Sequence, residues 1–270
     1  MIPVYFFMAQ TSQNYTVKQI QVWNNSINGL LPISLALVLV KRISVFGAQK
    51  KDLKDLNLKI NDTKILQVES CKYMGIFIDS KLSWQQHIDF VYKKIIKFTG
   101  IIYKICTKID NELLKTLYFA FVYPYLLCGI EIYGNTTHIY PNWKYLTTKY
   151  YGSYKRDHTH TTDLYKFYDT LPLSLLHNYQ ILLLLHKFVH HLNKLPSVFR
   201  CYFMQNRSIH RYDTTEKCHM HLVAPHTIYG KRLIIYKGSQ LWNNLPETLK
   251  SVQSMDAFKT ELRDYLILTS

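Results

Sequence analysis

Apolar residues along this chain keep two different periods. From residue 84 to 108 they recur as Ile88, Val91, Ile95, Phe98, Ile102 and Ile105, which share one face at the 100° per residue of an α-helix. The spacing predicts a helix with a single apolar side. Before it the pattern is short and β-branched: residues 35–46 read as one or two buried strands, Asn61-Asp62 as a turn, and residues 63–68 and 72–78 as paired strands of a hairpin. Downstream, helices are predicted over 111–123, 141–154, 174–193 and 254–268, with Pro124 kinking or ending the first and Ser254 capping the last. Residues 209–236 alternate in the β manner around Tyr229-Gly230-Lys231, which predicts a small sheet. The fold class is therefore α+β, mostly helical: short strands and a β-hairpin, then a helical bundle, then a small C-terminal α+β region. Without a repeat or a Gly/Ser or Pro-rich linker to divide them, the elements group as 1–80, 81–156 and 157–270.

Charge adds a partner to this picture. The 33 Lys and Arg outnumber the 18 Asp and Glu for a formal net charge of +15, and no carboxylate precedes Asp52. A polyanion is the expected partner. Nucleic acid and an acidic membrane surface both fit, but the interleaving with 22 Tyr and 13 Phe favours nucleic acid, where backbone neutralisation and base stacking act together. Lys93, Lys97, Lys104 and Lys108 fall opposite the apolar face of the predicted helix, within an arc of roughly 60°. Such a stripe is either a solvated helix face or a phosphate-facing surface. The longest aliphatic run, residues 30–40, stops at Lys41-Arg42 and is too short to cross a bilayer, so no membrane partner is expected. Five widely spaced cysteines without a Cys-x-x-Cys argue against a disulfide scaffold or zinc ribbon. With no signal peptide legible in residues 2–8, an intracellular location, cytoplasm or nucleus, is expected.

Candidate chemistry is sparse. Two-metal phosphoryl transfer needs paired carboxylates on adjoining strands, and the chain has no Asp-Asp; Asp52/Asp55 and Asp110/Glu112 sit in lysine-rich or helix-start settings. There is no phosphate loop and no nucleophile elbow. His186 and His190 have zinc-compatible spacing but lack the intervening glutamate of the protease motif, and read as a helix face with incidental histidines. Cys201, His210, Cys218, His219 and His221 match no standard finger. No catalytic residue, metal ligand or small-molecule substrate is assigned.

Several motifs, in their order, resemble the part of non-LTR (LINE-type) retrotransposon reverse transcriptases that follows the catalytic centre of the palm. Tyr73-Met74-Gly75-Ile76-Phe77-Ile78-Asp79 looks like that family's primer-grip hairpin, and Leu82-Ser83-Trp84-Gln85-Gln86-His87-Ile88 like the Trp-x-x-His-Ile start of its thumb. Pro124 through Tyr133-Gly134 is similar to the family's Pro-x-Leu-x-Tyr-Gly helix, and Tyr229-Gly230-Lys231-Arg232, Tyr236-Lys237-Gly238, residues 241–246 and Phe258-Lys259 to its C-terminal signature. Lys41 matches a late palm lysine, but the spacing is several residues longer and Arg42 stands where a threonine is usual.

The resemblance implies the end of a palm (1–80), a thumb-like helical region (81–156) and a connection region (157–270). It places Tyr73, Gly75, Trp84 and His87 against a primer–template duplex; Lys93, Lys97, Lys104 and Lys108 join them by the charge argument. The parent family is an RNA-directed DNA polymerase using magnesium and deoxynucleoside triphosphates. Its Ala-Asp-Asp turn and earlier palm aspartate have no counterpart here, so a truncated fragment is expected, with no cofactor of its own and no nucleotide addition. The expected partner is RNA–DNA or DNA duplex, with the oligomeric state open. Two alternatives stand beside this one: a non-enzymatic nucleic-acid-binding module, and a translated transposon relic without a selected function.

Overall fold

A computed structural model describes residues 42–43, 59–60, 63–64, 66–73, 75–80, 82–136, 165, 170–195, 202–209, 218–222 and 228–269. By packing, the chain divides into two units, Met1–Ile88 and Asp89–Ser270. The helix predicted over 141–154 and most of the strand residues predicted over 35–46 lie outside the described residues.

The described residues of the first unit form six short strands: β1 (Arg42–Ile43), β2 (Lys59–Ile60), β3 (Thr63–Lys64), β4 (Leu66–Gln67), β5 (Ser70–Tyr73) and β6 (Ile76–Asp79). They form three two-stranded sheets: β1 with β4 in parallel, β2 with β3 on either side of Asn61-Asp62, and β5 with β6, the last two antiparallel. The hairpin differs from the predicted pairing. Residues 72–78 are not one strand, because the chain folds back at Gly75, whose φ of 88° is left-handed and costs a residue without a Cβ little. Tyr73 therefore pairs with Ile76, and Cys71 with Ile78. A glycine inside a β-branched run was the turn, not a strand interior.

The helix predicted from residue 84 runs as α1 (Gln85–Ile105). Ile88, Val91, Ile95 and Ile102 are buried and Phe98 and Ile105 half-buried, as the period requires. Next comes α2 (Asn111–Leu117), capped by Asp110, whose carboxylate accepts the Leu113 N–H at 2.8 Å. Pro124 does not end this segment. Proline lacks an N–H and crowds the carbonyl four residues back, and the chain answers with a π-helical stretch, Tyr118–Val122, in which the Tyr123 N–H donates to the Tyr118 carbonyl. The helix continues as α3 (Tyr123–Leu127); Gly129, at φ 76°, then redirects it into α4 (Ile130–Tyr133).

The remaining elements are α5 (Leu173–His190), a 3-10 turn (Leu192–Lys194), α6 (Asn206–Ile209), α7 (Ile228–Lys231), α8 (Ile234–Asn243), α9 (Glu247–Ser251) and α10 (Met255–Leu268), the last capped by Ser254 as predicted. Leucine-rich α5 has little polar face, and α4, α8 and α10 pack against it. Its Ile181, Leu182 and Leu185 join Phe203, Met220, Trp242, Leu245, Leu249, Phe258, Leu262 and Leu266 in one core. The sheet predicted over 209–236 is not formed by its described residues. These hold the ends of α6 and α8 and all of α7, plus an isolated antiparallel bridge from Met220 to Gln205. Packing explains the difference: α8 buries Gly238 and Trp242 against α5 at helical spacing, which overrides the strand preference of Ile234-Ile235. Helix thus dominates the described residues. None of the described helices is long and apolar enough to cross a membrane.

Candidate nucleic-acid interface

Asp79 organises the junction between the hairpin and the first turn of α1. Its two carboxylate oxygens accept the N–H groups of Ser83 at 2.9 Å and Trp84 at 2.8 Å, while its carbonyl accepts the Leu82 N–H at 3.0 Å. These bonds hold Leu82 and Trp84 at φ 50° and 62°, backbone conformations that non-glycine residues rarely adopt. Trp84 and His87 are consequently turned inward, 6% and 1% exposed, and the His87 Nδ1 receives the Phe77 N–H at 3.5 Å. Both brace the hairpin against the helix start instead of facing solvent. Gly75 is exposed at the hairpin tip, and Tyr73 is placed by its strand pairing alone. Sequence reasoning missed Asp79 as a site residue, although a carboxylate shortly before a helix start was the available signal.

The four predicted lysines are all exposed. Lys93, Lys97 and Lys104 lie on α1 opposite its buried side, and Lys108 follows in the turn after it. Rising 1.5 Å per residue, the three helical lysines span about 16 Å. Exposed Ile96, Ile101 and Tyr103 flank them. At the edge of the apolar face, away from the lysines, Phe98 stacks on Phe121 with ring centroids 5.4 Å apart and lies 6.1 Å from Tyr125. Cations beside accessible aromatic and aliphatic surface suit a sugar–phosphate chain better than a bare electrolyte.

A second polar cluster lies within the helical unit and joins segments far apart in sequence. Lys237 Nζ donates to Asn135 Oδ1 at 2.7 Å and lies 2.9 Å from His177 Nδ1, while Asn135 Nδ2 donates to the Arg232 carbonyl at 2.9 Å. Burial brings the Lys237 ammonium down to about 8. Burial, aided by that neighbouring cation, brings the His177 imidazole down to about 3, so His177 is neutral. A Cβ on Gly134 would come within 2.5 Å of the His177 ring, and one on Gly238 within 2.8 Å of Leu185. The Tyr-Gly and Tyr-Lys-Gly segments singled out in the sequence therefore meet around α5, where their glycines permit close packing.

The paired histidines of α5 also have structural work. Nε2 of His186, His190 and His191 lies 2.7, 2.9 and 3.1 Å from the carbonyls of Val252, Lys250 and Gln253. His186 further stacks on Phe258 at 4.1 Å. Of the Cys/His cluster, Cys201 and His210 lie outside the described residues, and His221 Nδ1 approaches Asn206 Oδ1 at 3.3 Å. Among the described residues, no three His, Cys, Asp or Glu side chains are grouped to hold a metal ion.

In comparisons with protein-family models, curated proteins and solved structures, nothing matches this chain.

Proposed function

We propose that this chain is the palm end, thumb and connection part of a non-LTR retrotransposon RNA-directed DNA polymerase, which contacts the primer–template duplex backbone and does not itself add nucleotides. The observation that carries the reading is the exposure of Lys93, Lys97, Lys104 and Lys108 opposite the buried side of α1. Supporting it are the net charge of +15 and the order of the sequence motifs. In this reading the lysines neutralise phosphates, and Gly75 at the exposed hairpin tip lets a strand approach the backbone. Duplex shape is read instead of base sequence, since lysine-to-phosphate contacts carry no base information.

The test is fluorescence anisotropy of the purified chain with a labelled RNA–DNA hybrid across a range of salt. A parallel titration uses a variant with Lys93, Lys97, Lys104 and Lys108 changed to Glu. Each phosphate contact contributes roughly 0.7 to 0.9 to the slope of log affinity against log salt, so the variant's slope should flatten by about 3. A folded protein that binds no hybrid, or an unchanged slope in the variant, removes the reading. A second reading, a relic without selected function, is favoured by the exposure of Leu113 and Phe121 on the segment after α1. Aggregation on purification is the outcome that would support it.

A further inference from the structure

Gly100 stands in the body of α1, where glycine is the least favourable residue short of proline. Among the described residues, nothing inside the protein requires it there. The residue is exposed, and a Cβ built on it would meet no atom of the described residues within 4 Å. Neither a positive φ nor a close helix crossing accounts for the missing side chain, in contrast to Gly75, Gly134 and Gly238.

Its surroundings point outward. The residues three and four positions away on the helix surface are Ile96, Lys97, Tyr103 and Lys104, and all four are exposed. At 100° per residue the two lysines lie on one flank of Gly100 and the isoleucine and tyrosine on the other. The absent side chain leaves a notch between a cationic rail and an apolar rail. A nucleic-acid strand carries the complementary pair of edges: anionic phosphates on one side, sugars and the faces of bases on the other.

We infer that Gly100 is the point of closest approach for one nucleic-acid strand, with its phosphates along Lys97 and Lys104 and its sugar and base edge against Ile96 and Tyr103. This rests on the reading of the lysine face as a nucleic-acid surface and goes beyond it by assigning the register of the strand and a residue that carries no charge. Filling the notch should separate two properties that usually fall together. Alanine and leucine are both better helix formers than glycine, so Gly100→Ala and Gly100→Leu should each raise the melting temperature. Both should weaken binding, by roughly threefold and tenfold in order of side-chain size, because the strand is held off the helix. The salt slope should stay close to that of the unaltered chain, since every lysine remains.

The experiment is hybrid binding by the full chain, the two Gly100 variants and the four-lysine variant, with thermal melts of each. Weaker binding by a more stable Gly100→Leu protein at an unaltered slope supports the notch. Equal affinity of the Gly100 variants beside a weakened lysine variant overturns the notch and leaves the lysine face standing. No binding by the unaltered folded chain overturns both. If sedimentation shows that Gly100→Leu instead abolishes a self-association while hybrid binding is unchanged, the notch belongs to a protein contact and the inference falls.

Discussion

Single residues here hold backbone that would otherwise be strained or unsatisfied, and Asp79 is the plainest case. Its carboxylate satisfies the N–H groups of Ser83 and Trp84 in a loop with two left-handed residues. Asp79→Ala should therefore cost about 1–3 kcal/mol, the desolvation penalty of the orphaned donors, while Asp79→Asn, which keeps one acceptor, should cost less. Urea unfolding of the three proteins tests this; equal midpoints would show that the loop does not depend on the carboxylate. The Lys237–His177 pair gives a pH signature at the same scale. His177 titrates near 3 in the folded chain against 6.5 ordinarily, so between these values the unfolded chain binds the extra proton. Stability is full above 6.5 and is lost as pH falls through that window. Lys237 titrates near 8 instead of 10.5, so the unfolded chain again binds more protons between them, and its contribution rises with pH from 8 to 10.5. Across pH 7 to 10 the unfolding midpoint of the unaltered protein should rise relative to that of Lys237→Met once pH passes 8. A constant difference between them would contradict the assigned shift.

Elements succeed or fail as sequence signals according to what fixes them. The amphipathic period of α1 alone determined its extent and both faces, and the caps of Asp110 and Ser254 were legible because capping is local chemistry. One expectation failed where tertiary packing decides, and another, that Pro124 kinks or ends its helix, lost its second half. The helicity of α8 comes from its seat against α5, and the continuation of the helix past Pro124 depends on a π-helical stretch that no local signal announces. The role of the α5 histidines was hidden for the same reason, since their partners lie more than 50 residues away, at the end of α9 and in the segment joining it to α10. His186 is buried, stacked on Phe258 and lowered in pKa by that burial, whereas His191 makes its contact at an exposed position. His186→Ala should thus destabilise by about 2–4 kcal/mol through lost packing and an orphaned carbonyl, and His191→Ala by less than about 1 kcal/mol. Differential scanning calorimetry would show the order; similar losses for both would mean that the row acts as one unit.

Over the whole molecule, charge and motif order are what the proposed polyanion partner rests on, while the placement of individual motif residues was not legible. Trp84 and His87 sit in a stretch that resembles a thumb start, yet both face inward; burial depends on the Asp79 turn, which periodicity does not encode. The lysines were legible because a charged stripe opposite an apolar stripe has only one low-energy orientation. The carboxylates carry the remaining consequence. Asp79 and Asp110 are engaged by backbone N–H groups, and Glu247 and Asp256 by Lys250 and Lys259 at 2.8 Å. Two-metal phosphoryl transfer instead needs carboxylates converging on one ion pair, for which the sequence offers no Asp-Asp turn. On the proposed reading, binding and chemistry should therefore separate. Hybrid binding should persist in EDTA at matched ionic strength, because lysine-to-phosphate contacts need no metal. Primer extension with magnesium, template and all four deoxynucleoside triphosphates should yield no product above that of a protein-free control. Binding that vanished with EDTA would locate a metal in the interface, and templated incorporation would show that this chain supplies its own catalytic carboxylates.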